Sequence, residues 1–114
     1  MHIYGIKNCD TVKKSLKWLA AQELDFVFHD FKKEALTAEK ISEWMDKVPL
    51  ELLINKRGTS WRQLPESQKN FDDKEQLIKL VIEKPTLLKR PLVEYGENCS
   101  VGFNADQWQQ QFSS

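Results

Sequence analysis

The stretch His2-Ile3-Tyr4-Gly5-Ile6-Lys7-Asn8-Cys9-Asp10-Thr11 decides the fold. Its first half, His2 to Ile6, is short and β-rich, and Asn8, Cys9, Asp10 and Thr11 follow at once as residues that start helices. Strand therefore gives way abruptly to helix. Beyond it Val12, Leu16, Leu19 and Ala20 recur at helical spacing, with Lys13, Lys14 and Lys17 on other faces, which predicts a helix to about Gln22 with one inward stripe. From Asp25 to Phe31 the pattern Phe26-Val27-Phe28-His29-Asp30-Phe31 reads as a second strand. A strand, a helix and a strand in that order cross over right-handedly into a parallel pair, the first half of a thioredoxin-type sheet.

Further along, the middle of the chain reads as helical. Thr37 is placed to cap a helix whose Ile41, Trp44, Met45 and Val48 share one face, ending before Pro49. After the loop Asn55-Lys56-Arg57-Gly58-Thr59, Asp72 is placed to cap, with Glu75 in capping-box position, a helix carrying Leu77, Leu80 and Val81 until Pro85 stops it. At the end the period changes to that of strands. Pro91 to Tyr95 and Cys99 to Phe103 flank Gly96-Glu97, whose glycine suits a type II′ hairpin turn, and Asn104 precedes a last helix with Trp108 and Phe112 on its apolar face. The expected architecture is a single α/β domain over residues 1–114: a thioredoxin-like, glutaredoxin-type mixed four-stranded sheet. A helical insertion, at about 37–88, separates its two halves.

Composition narrows the function classes. The 114 residues are 40% hydrophobic and 30% charged, the balance of an ordinary globular protein. Lys plus Arg and Asp plus Glu are 17 each, so no global field attracts a polyanion and direct nucleic-acid binding is disfavoured. No apolar run approaches a membrane span, and Met1 leads straight into strand-like sequence without an apolar leader, which makes the cytoplasm the expected address. Cys9 and Cys99 lie at opposite ends of the chain, unlike the dense spacing of a stapled secreted domain, and the spacing of Cys, His and carboxylates shows no zinc pattern.

Cys9 is the candidate nucleophile, because at a helix start the unsatisfied amides and the positive end of the dipole favour thiolate over thiol. Lys7 and Lys13 would add positive potential and Asp10 would oppose it. The bland alternative is an inert buried thiol. A dithiol mechanism wants Cys-x-x-Cys, but the third residue after Cys9 is Val12. Cys99 is a resolving thiol only if the fold brings its Cα within about 7 Å. Trp18, Trp44, Trp61 and Trp108 read as core or edge residues before a nucleotide-stacking surface. His29 reads as a structural histidine before a base.

Three segments in this order, Tyr4 to Thr11, Asn55 to Thr59 and Leu88-Lys89-Arg90-Pro91, together with the strand motif Val101-Gly102-Phe103, resemble the ArsC/Spx family, and its small YffB-type branch most. The resemblance covers nearly the whole chain. It implies a thioredoxin-like fold with a helical insertion, and a cysteine, here Cys9, that attacks its substrate beside anion-binding residues. In arsenate reductases of that family several arginines hold the oxyanion, and the adduct is released with glutathione and glutaredoxin. Arg90 matches the arginine before a cis-proline, which makes Pro91 the cis candidate. Asn55 stands where another arginine is found, Arg57 follows two residues on, and the third arginine is missing near Asn98 and Cys99.

Such a thin cluster suits a disulfide better than an arsenate trianion, which needs dense charge-assisted hydrogen bonding. The expected function is therefore a monothiol, glutathione-dependent thiol–disulfide reductase with no bound cofactor and no metal. Cys9 is its nucleophile, and Arg90, Arg57, Asn8 and Thr11 are its substrate- or anion-binding residues. Glutathione or a small thiol or disulfide is the expected substrate, with glutaredoxin as a further partner. The alternatives are arsenate reduction proper and an Spx-like regulator that binds RNA polymerase without turnover.

Overall fold

A computed structural model of the chain describes residues 1–69 and 71–112. The chain divides into two compact units, Met1–Lys33 with Arg90–Ser114, and Glu34–Lys89. In the first, strand β1 (His2–Gly5) leads through helix α1 (Asp10–Ala21) to strand β2 (Val27–Asp30), and the chain returns through β3 (Leu92–Tyr95) and β4 (Asn98–Val101) to helix α6 (Ala105–Phe112). The sheet order is β2-β1-β3-β4. β1 and β2 are parallel with Tyr4 opposite His29, β1 and β3 antiparallel with Tyr4 opposite Leu92, and β3 and β4 antiparallel with Tyr95 opposite Asn98. A parallel βαβ followed by an antiparallel hairpin and a helix is the thioredoxin-like arrangement, in the mixed four-stranded form the sequence implies.

Strand alternation explains which residues build the core. Ile3 and Val93, paired across β1 and β3, are fully buried and meet Leu19 of α1 and Trp108 of α6. Trp108 meets Phe103, Trp18 and Phe112 edge to face, with ring centroids 4.8, 5.8 and 5.4 Å apart. Trp44 is buried in the second unit, and Trp61 is half-buried against Phe71 there.

Three local expectations shift. The second strand stops at Asp30: Phe31 still donates its N–H to the Gly5 carbonyl at 2.9 Å, but the Asp30 carboxylate accepts the Lys32 N–H at 2.9 Å and its carbonyl the Lys33 N–H, which turns the chain away from β1 after that bond. The last strand occupies Asn98–Val101 instead of Cys99–Phe103. Gly102 takes φ +84° and donates its N–H to the Pro91 carbonyl, which ends the strand. On α1 the buried stripe is Val12, Ser15 and Leu19, while Leu16 is half-buried and Ala20 exposed. A hydrophobicity pattern passes over Ser15, whose hydroxyl is satisfied by donating to the Val12 carbonyl at 2.6 Å.

The turn Gly96-Glu97 has φ +58° at Gly96, the first-position sign a type II′ turn needs. Asn104 Oδ1 accepts the Gln107 N–H at 3.1 Å and caps α6.

The end of α1 carries a backbone cost. Leu24 N–H donates to Leu19 carbonyl and Glu23 N–H to Ala20 carbonyl, each at 3.1 Å, the pair of bonds that defines a Schellman cap. Its left-handed position is normally glycine but here is Glu23, at φ +58°. Glu23→Gly is expected to raise stability by about 0.5–1 kcal/mol, read as a higher urea midpoint at unchanged slope. A lower midpoint would show that the Glu23 side chain stabilises the cap by more than its backbone costs.

The second unit is mostly helical. Thr37 caps α2 (Ala38–Lys47), accepting the Lys40 N–H at 3.2 Å, and α2 packs Ile41, Trp44 and Met45 toward α5 (Lys74–Glu83). The cap of α5 is Asp73, which accepts the Gln76 N–H at 3.1 Å, so the expectation at Asp72 is off by one. Consecutive Asp residues each followed three later by Glu75 or Gln76 make that register degenerate in sequence. Between these helices lie the short helices α3 (Leu50–Leu53) and α4 (Thr59–Arg62). Ile54 bridges Leu88, Asn55 donates to the Leu87 carbonyl and Lys89 to the Leu53 carbonyl, both at 2.8 Å, which ties the loop after α3 to the end of the unit. Among the described residues no helix is long and apolar enough to cross a membrane.

Candidate active site

Cys9 is the N-cap of α1, with extended backbone angles of φ −81° and ψ 126°. Its N–H donates to the Ile6 carbonyl at 3.1 Å and its carbonyl accepts the Lys13 N–H at 2.9 Å, so the turn out of β1 and the first turn of α1 both fix its backbone. The side chain is partly exposed. Partial burial by itself pushes the thiol pKa up. The Val12 amide, a hydrogen bond from the Arg90 guanidinium, the Thr11 amide and the Arg90 charge together outweigh it and hold the thiol below its ordinary value. The sulfur makes no cap hydrogen bond of regular geometry, so the two amides act as oriented dipoles. Among the described residues, Arg90 supplies the charge-assisted contact.

Arg90 reaches Cys9 through the register of the sheet. Tyr4 lies opposite Leu92, and continuing that antiparallel pairing by two residues brings Arg90 level with Ile6, where the chain turns back to Cys9. The Arg90–Pro91 peptide bond is cis. The other expected residues are distributed differently. Thr11 contributes its backbone N–H while its side chain is exposed, and Asn8 is an exposed turn residue ahead of the helix. Lys7, Lys13 and Asp10 are exposed and are not among the groups acting on the thiol. Arg57 belongs to the second unit, where with Glu51, Asn55, Lys56 and Lys89 it lines a depression that carries three cations against one carboxylate.

Val12 is the contributor that sequence reading assigns only to the core. It is fully buried, and its N–H is the favourable influence on the thiol that ranks ahead of Arg90. No side-chain chemistry marks it, because the group that acts is backbone. Its position is set by contact with β1: a Cβ on Gly5 would sit 2.8 Å from Val12 Cγ2. Glycine is needed here for close approach rather than for a left-handed backbone.

Cys99 lies opposite Glu94, which lies opposite His2. It is therefore two strands from β1, about 10 Å laterally, and at the end of the sheet away from the Gly5 end that leads to Cys9. A disulfide tolerates about 7 Å between Cα atoms. Neither cysteine is in a disulfide, and this register keeps Cys99 from resolving Cys9 within one chain.

The model of the ArsC family matches residues 4–111. A Haemophilus influenzae protein without assigned activity is 40% identical over 111 residues, covering 97% of both chains. The solved YFFB protein superposes with a TM-score of 0.89 at 35% identity, covering 96% of each chain. The global transcriptional regulator Spx 1 of Lactococcus lactis is 27% identical over 107 residues, 92% of this chain and 83% of that protein.

Proposed function

The chain belongs to the ArsC family, and from that membership and the geometry of Cys9 we propose that it is a monothiol, glutathione-dependent thiol–disulfide reductase. The observation that carries the reading is a partly exposed thiol with lowered pKa, held by the Val12 and Thr11 amides and by Arg90, with no second thiol in reach. In the forward step the Cys9 thiolate attacks the glutathione sulfur of a mixed disulfide R–S–SG. A Cys9–SG bond forms, the R–S bond to glutathione breaks, and R–S⁻ leaves and takes a proton from solvent. A glutathione thiolate then attacks the Cys9 adduct, forming GSSG and returning Cys9 as thiolate. The net change is R–S–SG plus GSH to R–SH plus GSSG. Arg90 holds the developing and departing thiolate at Cys9 in both steps.

Incubation of the wild-type chain with oxidised glutathione tests this. Intact-mass spectrometry is expected to show one glutathione adduct per chain, mapping to the peptide of Cys9 and absent from that of Cys99, and reduced glutathione is expected to remove it. An internal disulfide, or an adduct confined to Cys99, would overturn the scheme.

The likeness to Spx supports a second reading, a regulator acting by docking to RNA polymerase. Val12 stands where a Cys-x-x-Cys switch would place its second thiol, which favours the enzyme. Polymerase co-purifying with the chain independently of Cys9, with no turnover of glutathione mixed disulfides, would favour the regulator. The third reading, arsenate reduction, requires arsenate-dependent consumption of reducing equivalents through glutathione and glutaredoxin.

A further inference from the structure

At the other end of β1 a second cluster stands outside the thiol chemistry. His2 Nδ1 and His29 Nε2, on neighbouring strands, are 2.8 Å apart. His29 is not loose: its ring stacks on Tyr4 with centroids 4.4 Å apart and planes 12° apart, and the Tyr4 hydroxyl donates to Glu94 Oε1 at 3.0 Å. Glu94 is also the cross-strand neighbour of His2 on β3, so a carboxylate flanks the pair. His2 is exposed and His29 half-buried, which leaves the gap between their nitrogens open to solvent.

We propose that His2 and His29 form a two-imidazole site for a divalent cation of the copper type, with water completing the coordination. Two nitrogens at about 2.0 Å from one ion are about 2.8 Å apart when they subtend a right angle and about 3.3 Å apart at the tetrahedral angle. The observed 2.8 Å is the length of an N–H···N hydrogen bond between the rings, and it shows that both nitrogens come within chelating reach of one ion once that proton is displaced. With ring centroids 5.1 Å apart the nitrogens face one another and share one proton. The exposed His2 ring swings about its side-chain bonds to turn its lone pair toward an ion, while the Tyr4 stack keeps His29 fixed, as an orienting outer shell does in metal sites. Among the described residues no three His, Cys, Asp or Glu side chains converge, so two imidazoles are the whole side-chain contribution. Cu²⁺ binds ahead of Ni²⁺ and Zn²⁺, and Mg²⁺, which prefers oxygen, does not compete.

The experiment is titration of the full, untagged chain with copper sulfate after both thiols have been blocked with iodoacetamide, followed by calorimetry and pulsed electron paramagnetic resonance. One Cu²⁺ per chain with two coordinating imidazoles is expected, and His2→Asn and His29→Asn are each expected to weaken binding at least tenfold. Binding unchanged in His29→Asn would assign the copper to the chain start and His2 alone and overturn the proposal, as would failure of the wild type to bind at micromolar copper. Should His29→Asn not fold, the imidazole count in the wild type decides by itself: two supports the site, and one or none overturns it.

Discussion

With Arg90 replaced by Met, iodoacetamide is expected to alkylate Cys9 about tenfold more slowly at pH 6.5 than in the wild type, because losing the donor and the charge raises the thiol pKa and so lowers the thiolate fraction at that pH. Arg90 acts on the thiol both as a hydrogen-bond donor and as a charge, and Met keeps the length of the side chain while removing both. At a pH well above both pKa values the two proteins are largely thiolate and the rates converge, with the variant slightly faster because a more basic thiolate is the better nucleophile. Arg90→Lys keeps the charge and loses the fork of donors, so its profile falls between the two. Superimposable wild-type and Arg90→Met profiles would remove Arg90 from the site.

The same coupling has a consequence for folding. The Cys9 pKa is lower in the native chain than in the unfolded one, where a free thiol titrates near about 8.5. Its contribution to stability is therefore fully present above that unfolded value and is lost as pH falls through the folded pKa. The wild type should gain stability relative to Arg90→Met on going from pH 6 to pH 9, which urea midpoints at the two pH values measure. Subtracting the variant removes the groups that titrate alike in both.

How far the sequence could be read depended on the range of each interaction. The strand-to-helix change at Asn8 and Cys9 was legible because it is local: propensity and capping chemistry act within a few residues. Thr37 and Asn104 were legible for the same reason. The Asp73 cap was misplaced by one because two adjacent acids satisfy the same spacing rule. Arg90 at Cys9 was not legible from spacing, since the two meet only through the antiparallel register of β1 and β3, and family resemblance pointed to it instead. His2 and His29 were invisible as a pair on the same ground, being brought together by the parallel register of β1 and β2. The amide of Val12 left no trace, because a backbone donor carries no residue signature.

The contact between Gly5 and Val12 provides the sharpest test of how packing and reactivity are joined. Secondary-structure preference alone predicts that Gly5→Ala, at the end of β1, stabilises by at most roughly 0.5–1 kcal/mol. Close approach predicts the opposite, because the new methyl would lie 2.8 Å from Val12 Cγ2. Val12 is fully buried and β-branched, so it has no free rotamer into which to retreat. Overpacking wins, and Gly5→Ala is expected to cost about 1–3 kcal/mol. The displaced first turn also carries the Val12 N–H away from the sulfur, so the Cys9 alkylation profile moves to higher pH in this variant. Val12→Ala removes the opposing methyl groups, so the double variant should be more stable than the sum of the single losses by about 1 kcal/mol or more, with part of the Cys9 shift reversed. Additivity within about 0.5 kcal/mol would mean that the two residues do not press on each other, and that the thiol owes its reactivity to Arg90 and the helix start without help from the strand beneath.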